Sequence, residues 1–161
     1  MDFIATDIVS KIEEVVQKYK TPKDLLHIEI TESALTDNFD KLQKDVARLH
    51  ELGYKVWLDD FGSGYSSFNT LKDFDFDVVK LDMLFLSSFN ENPKSKVIIN
   101  SVVKMAQKIG LGTLCEGVET IEQADFLSSI GVERLQGYLY GKPEDEEAII
   151  NKINKKEYKT I

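Results

Sequence analysis

The chain has 161 residues, 42% of them hydrophobic and 30% charged, with a formal net charge of −8. That length suits one domain with one core, and the acidic balance excludes a surface built to grip a nucleic-acid polymer or an anionic membrane. The single cysteine, Cys115, excludes a disulfide framework and a cysteine-ligated zinc cluster. No apolar run reaches the roughly 18 residues of a membrane span, and Met1 to Lys20 carries charges at helical spacing rather than a signal peptide, so a cytoplasmic setting without membrane insertion is expected.

In chain order, Ile8, Ile12, Val15 and Tyr19 form the first helical stripe, and Leu26–Ile30 reads as a strand. Phe39, Leu42, Val46 and Leu49 make a second stripe that closes at Glu51-Leu52-Gly53 before a strand at Val56–Leu58. Val78–Leu81 is the next strand. Ile98, Val102, Ala106 and Ile109 then make a helix closing at Lys108-Ile109-Gly110, followed by a strand at Gly112–Cys115. Thr120 and Gln123 form a capping box for a helix carrying Ala124, Leu127 and Ile130, which closes at Ser129-Ile130-Gly131 before the strand Leu135–Tyr138. After Pro143 a last helix opens on Glu144, Asp145, Glu146 and Glu147 and ends in lysines, the charge order its dipole favours. Short apolar strands alternating with amphipathic helices predict repeated βα units: an α/β fold with a parallel sheet, in a single domain over 1–161.

The polar residues gather where these strands end. Glu29 and Glu32 belong to the first strand and the turn after it, Asp59-Asp60 to the second, Lys80 and Asp82 to the third, Glu116 and Glu119 to the fourth, and Gln136 to the fifth. In a parallel α/β barrel such ends converge on one mouth where ligands bind. Oxygen ligands without histidine or cysteine suit a hard ion, Mg²⁺ or Mn²⁺. Two adjacent aspartates can serve two ions that clamp a phosphodiester, with Lys80 orienting water or neutralising charge on the phosphoryl oxygens. Each feature also has a plainer reading: Asp-Asp before glycine is a common strand-to-turn signal, and a strand glutamate can simply pair with a lysine.

Phe61-Gly62-Ser63-Gly64-Tyr65-Ser66-Ser67 is either a loop closely approached by a ligand or partner, or a tight βα turn whose serine caps the next helix. It lacks the Gly-Lys-Ser/Thr of a P-loop. His27 and His50 fall in different elements and read as structural or solvated, and Cys115 reads as a small apolar filler.

Ile28-Glu29-Ile30-Thr31-Glu32-Ser33, the run Leu58 to Ser67, Val79-Lys80-Leu81-Asp82, Glu116-Gly117-Val118-Glu119-Thr120 and Gln136 to Pro143 together resemble successive signatures of EAL-domain cyclic di-GMP phosphodiesterases. Five motifs in register over nearly the whole chain make the resemblance specific. It implies a modified TIM barrel that hydrolyses cyclic di-GMP to the linear dinucleotide with Mg²⁺ or Mn²⁺. By motif, Glu29, Asp59 and Asp60 would be metal ligands, Lys80 would hold the attacking water, and Glu116 would be a ligand or general base. Gln136 would complete the site. Glu32 and Glu119 would brace the loop of Gly62, Gly64 and Ser66, which lies near the dimer interface in this family, so a homo-oligomer is expected.

The Glu-Ala-Leu motif that names the family is absent from the 161 residues, and five predicted strands are three short of a closed eight-stranded barrel. The expectation is therefore a partial barrel, catalytically incomplete on its own. The alternatives are a non-catalytic nucleotide-binding or protein-interaction module of the same family, or an unrelated oxygen-ligand metal barrel.

Overall fold

Strand follows strand in space as it does in sequence. The computed structural model describes residues 7–36, 39–63 and 68–155. Its elements run α1 (Ile8–Tyr19), β1 (His27–Thr31), α2 (Phe39–Glu51), β2 (Lys55–Phe61), α3 (Phe68–Asp73), β3 (Val78–Leu81), α4 (Pro93–Lys108), β4 (Gly112–Cys115), α5 (Ile121–Ser129), β5 (Arg134–Leu135) and α6 (Glu146–Asn154). The five strands form one parallel sheet in the order β1-β2-β3-β4-β5. Unbroken sequential order is the singly wound arrangement of an α/β barrel wall, not of a doubly wound sheet.

Alternate residues of a strand share a face. One face, with Ile30, Val56, Leu58, Val79, Leu81 and Cys115, is buried against the helices together with Val46, Leu49, Ile99, Val103 and Leu127 in the main core. Full burial of a Leu or Ile stabilises by about 1.5–3 kcal/mol, so this face supplies most of the fold's hydrophobic stabilisation. The opposite face carries a small separate cluster of Trp57, Val78 and Leu114. Next along the same strands and on the same face stand Asp59, Lys80 and Glu116. His27 stacks on the Trp57 ring with centroids 4.2 Å apart, and Arg134 lies 5.5 Å from it. The face is thus layered, apolar towards the N-terminal ends of the strands and charged towards their C-terminal ends.

Two stripes of the sequence reading sit one residue out. In α1 the buried residues are Val9 and Val16, whereas Ile8, Val15 and Tyr19 are exposed. Arg48 holds the Asp7 carboxylate and the Ser10 hydroxyl, and Tyr54 donates to Glu13, so polar anchors set the helix's rotation among several apolar positions. In α4 Ile99 and Val103 are buried alongside Val102 and Ala106, leaving Ile98 and Ile109 exposed. The stripes of α2 and α5 hold, except that Phe39 is exposed, and the Thr120–Gln123 capping box is present.

The fifth strand is shorter than expected, ending at Leu135 rather than Tyr138. Gly137 is the reason. A side chain there would put its Cβ 2.1 Å from the Val118 carbonyl oxygen, and two backbone hydrogen bonds, Val118 N–H to Gln136 O and Leu139 N–H to Val118 O, lash the segments together on either side of it. Gly137→Ala is therefore expected to cost about 1–3 kcal/mol or more through forced backbone separation. Urea denaturation would read this as a lower midpoint; a midpoint equal to the parent's would contradict the close approach.

Candidate active site

Consecutive strand residues point to opposite faces, so an undistorted β2 would send Asp59 and Asp60 to opposite sides of the sheet. The structure avoids this. Asp60 has φ of +57°, in the left-handed region, and the pairing of β2 with β3 slips between Leu58 and Phe61. Such a backbone costs a non-glycine residue roughly 1–2 kcal/mol. Local bonds hold it: Asp60 N–H donates to Asp59 Oδ1 at 3.0 Å, and Ser63 N–H donates to the Asp60 carbonyl at 3.1 Å. The outcome is that ligand oxygens of Asp59, Asp60 and Glu116, all half-buried, lie within 4.8 Å of one another.

Lys80 stands beside them, its side chain only 7% exposed. Its ammonium contacts Asp59 Oδ1 at 2.8 Å, Glu116 Oε1 at 3.0 Å and Glu29 Oε1 at 3.1 Å. Burial pulls the lysine's pKa down, but the hydrogen bonds it donates to Asp59, Glu116 and Glu29 outweigh it and hold the ammonium charged, well above the ordinary lysine range. One cation does not balance the mouth. Burial first, then the charges of Asp59 and Asp82, push the Asp60 carboxyl above its usual value despite Lys80. Convergent oxygen donors with surplus negative charge fit a hard divalent cation, and Asp59, Asp60 and Glu116 are the residues placed to hold it.

Glu29 enters through Lys80 and lies outside this close three-carboxylate set. Glu32 is 2% exposed, and its Oε2 accepts the Gly62 N–H at 3.0 Å. Gly62 is also covered from the other side: a Cβ on it would lie 2.2 Å from the Phe85 ring. Glu119 is exposed, with its backbone N–H given to the Gln123 side chain at the start of α5. Gln136 follows β5 and is exposed, its backbone bonded to Cys115 and Val118. Gly64 and Ser66 lie outside the described residues.

His50 pairs with Asp77 at 2.9 Å, where Lys55 and the Val56 N–H also converge, a structural role at the far end of the sheet. Burial, followed by the nearby charges of Glu116 and Asp82, pushes the Cys115 thiol up to about 12, which suits an inert filler. The sequence reading left Asp82 without a role in the site and did not single out Phe85. Asp82 caps the turn after β3 through Leu84 N–H and adds charge beside Asp60. Its place two residues after Lys80 was the available signal for it; Phe85 had none.

The EAL domain family model matches residues 2–143. The chain belongs to the EAL domain family. Among EAL relatives, the chain is 34% identical over 136 residues to the cyclic di-GMP phosphodiesterase PdeR of Escherichia coli, covering 84% of this chain and 21% of that protein. The EAL domain of Mycobacterium smegmatis DcpA superposes with a TM-score of 0.86 at 30% identity, covering 95% of this chain and 69% of that one. A manganese and cyclic di-GMP complex of Klebsiella pneumoniae BlrP1 superposes with a TM-score of 0.79 at 30% identity, covering 88% of this chain and 36% of that one. The chain spans between 14% and 37% of the length of the curated relatives it matches. These likenesses bear out the α/β, TIM-barrel-like reading of the EAL motifs. Among the described residues no helix is long and apolar enough to cross a membrane.

Replacing Lys80 by methionine leaves three carboxylates crowded around an apolar side chain. The variant is expected to lose on the order of 3 kcal/mol at pH 7, as buried ion pairs do when one partner is removed. The deficit should shrink at high salt, which screens the repulsion among carboxylates that have lost their cation. Urea midpoints of parent and variant at low and high salt would test this; an equal deficit at both would contradict the electrostatic account.

Proposed function

We propose that this chain carries part of a metal-dependent cyclic di-GMP phosphodiesterase site, and that hydrolysis needs further groups beyond those its described residues bring together. The observation that carries the reading is the convergence of Asp59, Asp60 and Glu116 beside Lys80. PdeR is named for hydrolysing this dinucleotide, and BlrP1 was solved with manganese and the same ligand, which supports carrying the substrate and the ion to this site. In this reading Mg²⁺ or Mn²⁺ supplies positive charge to the phosphoryl oxygens and acidity to a bound water.

The chain's own residues do the rest. Asp59, Asp60 and Glu116 hold the ion, with Glu29 as a further ligand approached from β1. Lys80 orients the attacking water. An ammonium has three donors, and here Asp59, Glu29 and Glu116 take one each, so Lys80 must release a carboxylate to hold water. Asp59 and Glu116 would serve both roles, partners of Lys80 in the empty site and ligands when an ion is held. Gln136 and the exposed Glu119 complete the rim, and Glu32 steadies the Gly62 loop.

The edges of the sheet support the reading of an incomplete site. Among the described residues β1 and β5 each pair on one side only, and Tyr19, Leu25 and Tyr138 expose large apolar surfaces. Further strands would close the barrel, either from the same polypeptide or through association of chains. A cytoplasmic location agrees with this substrate.

Titration calorimetry with Mn²⁺ tests the reading. The parent chain is expected to bind, the Asp59→Asn/Asp60→Asn double variant to bind at least tenfold more weakly, and cyclic di-GMP turnover by the chain alone to be slow or absent. Equal binding by parent and double variant would remove the metal site. Loss of metal binding without any stabilisation of the parent by cyclic di-GMP would favour a different substrate.

A further inference from the structure

The left-handed backbone at Asp60 is held by bonds within its own loop, and two residues outside that loop press on Gly62, two positions further on. Glu32 Oε2 accepts the Gly62 N–H. The Phe85 ring occupies the space where a side chain on Gly62 would stand, with Cε2 and Cζ at 2.2 and 2.6 Å from the Cβ position. Gly62 itself has φ of +99°, which only glycine adopts readily.

Phe85 is well placed to transmit rigidity. It lies in the short 3₁₀ turn Met83–Leu86, which begins directly after β3. Asp82 fixes that turn twice: its Oδ1 accepts the Leu84 N–H at 2.7 Å, and its carbonyl accepts the Phe85 N–H at 3.0 Å. The Asp82 N–H donates in turn to the Phe61 carbonyl at 3.2 Å. The segment Asp60–Gly62 is thus tied to the end of β3 by a backbone bond at Phe61 and by a packed ring at Gly62. Phe85 is half-buried against the main core, so the ring has a fixed backing.

We propose that Phe85 is a positioning residue for the metal site: by filling the space over Gly62 it holds Asp60 in the left-handed conformation that brings its carboxylate beside Asp59 and Glu116. This rests on the reading that those three carboxylates take a divalent cation. It also explains why Gly62 carries no side chain. A methyl group there would displace the ring, and the contact would be lost from the glycine side as surely as from the phenylalanine side.

The test uses the full chain, with Mn²⁺ as probe, followed by calorimetry and by the electron paramagnetic resonance spectrum of the bound ion. Phe85→Ala is expected to weaken Mn²⁺ binding about 10–100-fold, the usual effect of removing support from behind a metal ligand, and to change the bound-ion spectrum. Phe85→Leu should restore part of the affinity and serves as the reading if the alanine variant does not fold. Phe89→Leu is the control, since Phe89 is buried in the same region but packs against Phe126. It should lower the urea midpoint and leave Mn²⁺ affinity within about twofold of the parent. In a second arm, Gly62→Ala should cost less stability in the Phe85→Ala background than in the parent. Parent-like Mn²⁺ affinity in Phe85→Ala would overturn the proposal while leaving the metal site standing, as would additive costs in the second arm. No Mn²⁺ binding by the parent would overturn the metal reading and this inference with it.

Discussion

A β-strand cannot present two neighbouring side chains on the same face, and the charged end of this sheet depends on breaking that rule at one residue. With Asp60 in a regular extended conformation, its carboxylate would face the helices, inside a layer of Val, Leu and Ile side chains where an unpaired charge costs several kcal/mol. The left-handed turn of the backbone exchanges that cost for a strain of roughly 1–2 kcal/mol and sets two aspartates side by side with Glu116. The glycine after Phe61, the register slip against β3 and the glutamate beneath the loop all follow from that distortion.

Lys80 makes the arrangement tolerable without an ion. Its three carboxylate partners come from three different strands, β1, β2 and the end of β4, so a single ammonium ties the strand ends across the sheet. Beneath it, one layer down the same strands, lies the small apolar cluster of Trp57, Val78 and Leu114. The balance is only partial, because Asp60 and Asp82 add charge that Lys80 does not neutralise. A site that is preorganised yet still short of positive charge is the state from which cation binding is most favourable.

Much of this was legible in the sequence, and for identifiable reasons. Val78–Leu81 and Gly112–Cys115 were placed to the residue because they are short apolar runs flanked by polar strand ends. The acidic residues at those ends marked the mouth, since successive parallel strands must deliver their C-terminal residues to one side. The rotation of α1 was not legible, because Ile8, Val9, Ile12, Val15, Val16 and Tyr19 allow more than one apolar face and distant partners, Arg48 and Tyr54, choose between them. Nor was the early end of β5, which depends on a backbone contact between Gly137 and Val118. The grouping of Asp59, Asp60 and Glu116 apart from Glu29 is likewise a consequence of a backbone dihedral and a register slip. The glycine after Phe61 marks a turn there, but residue type alone does not say which carboxylates that turn brings together.

One left-handed residue sets three carboxylates together beside an already satisfied lysine, and the proposal is that they take a divalent cation. A crystal structure of the chain grown with Mn²⁺, with anomalous data collected at the manganese edge, is the decisive test. The expected result is an anomalous peak within bonding distance of Asp59, Asp60 and Glu116, with Asp60 at positive φ and Lys80 outside the coordination sphere. A peak elsewhere, or Asp60 in an extended conformation with its carboxylate turned away from Asp59, would contradict it.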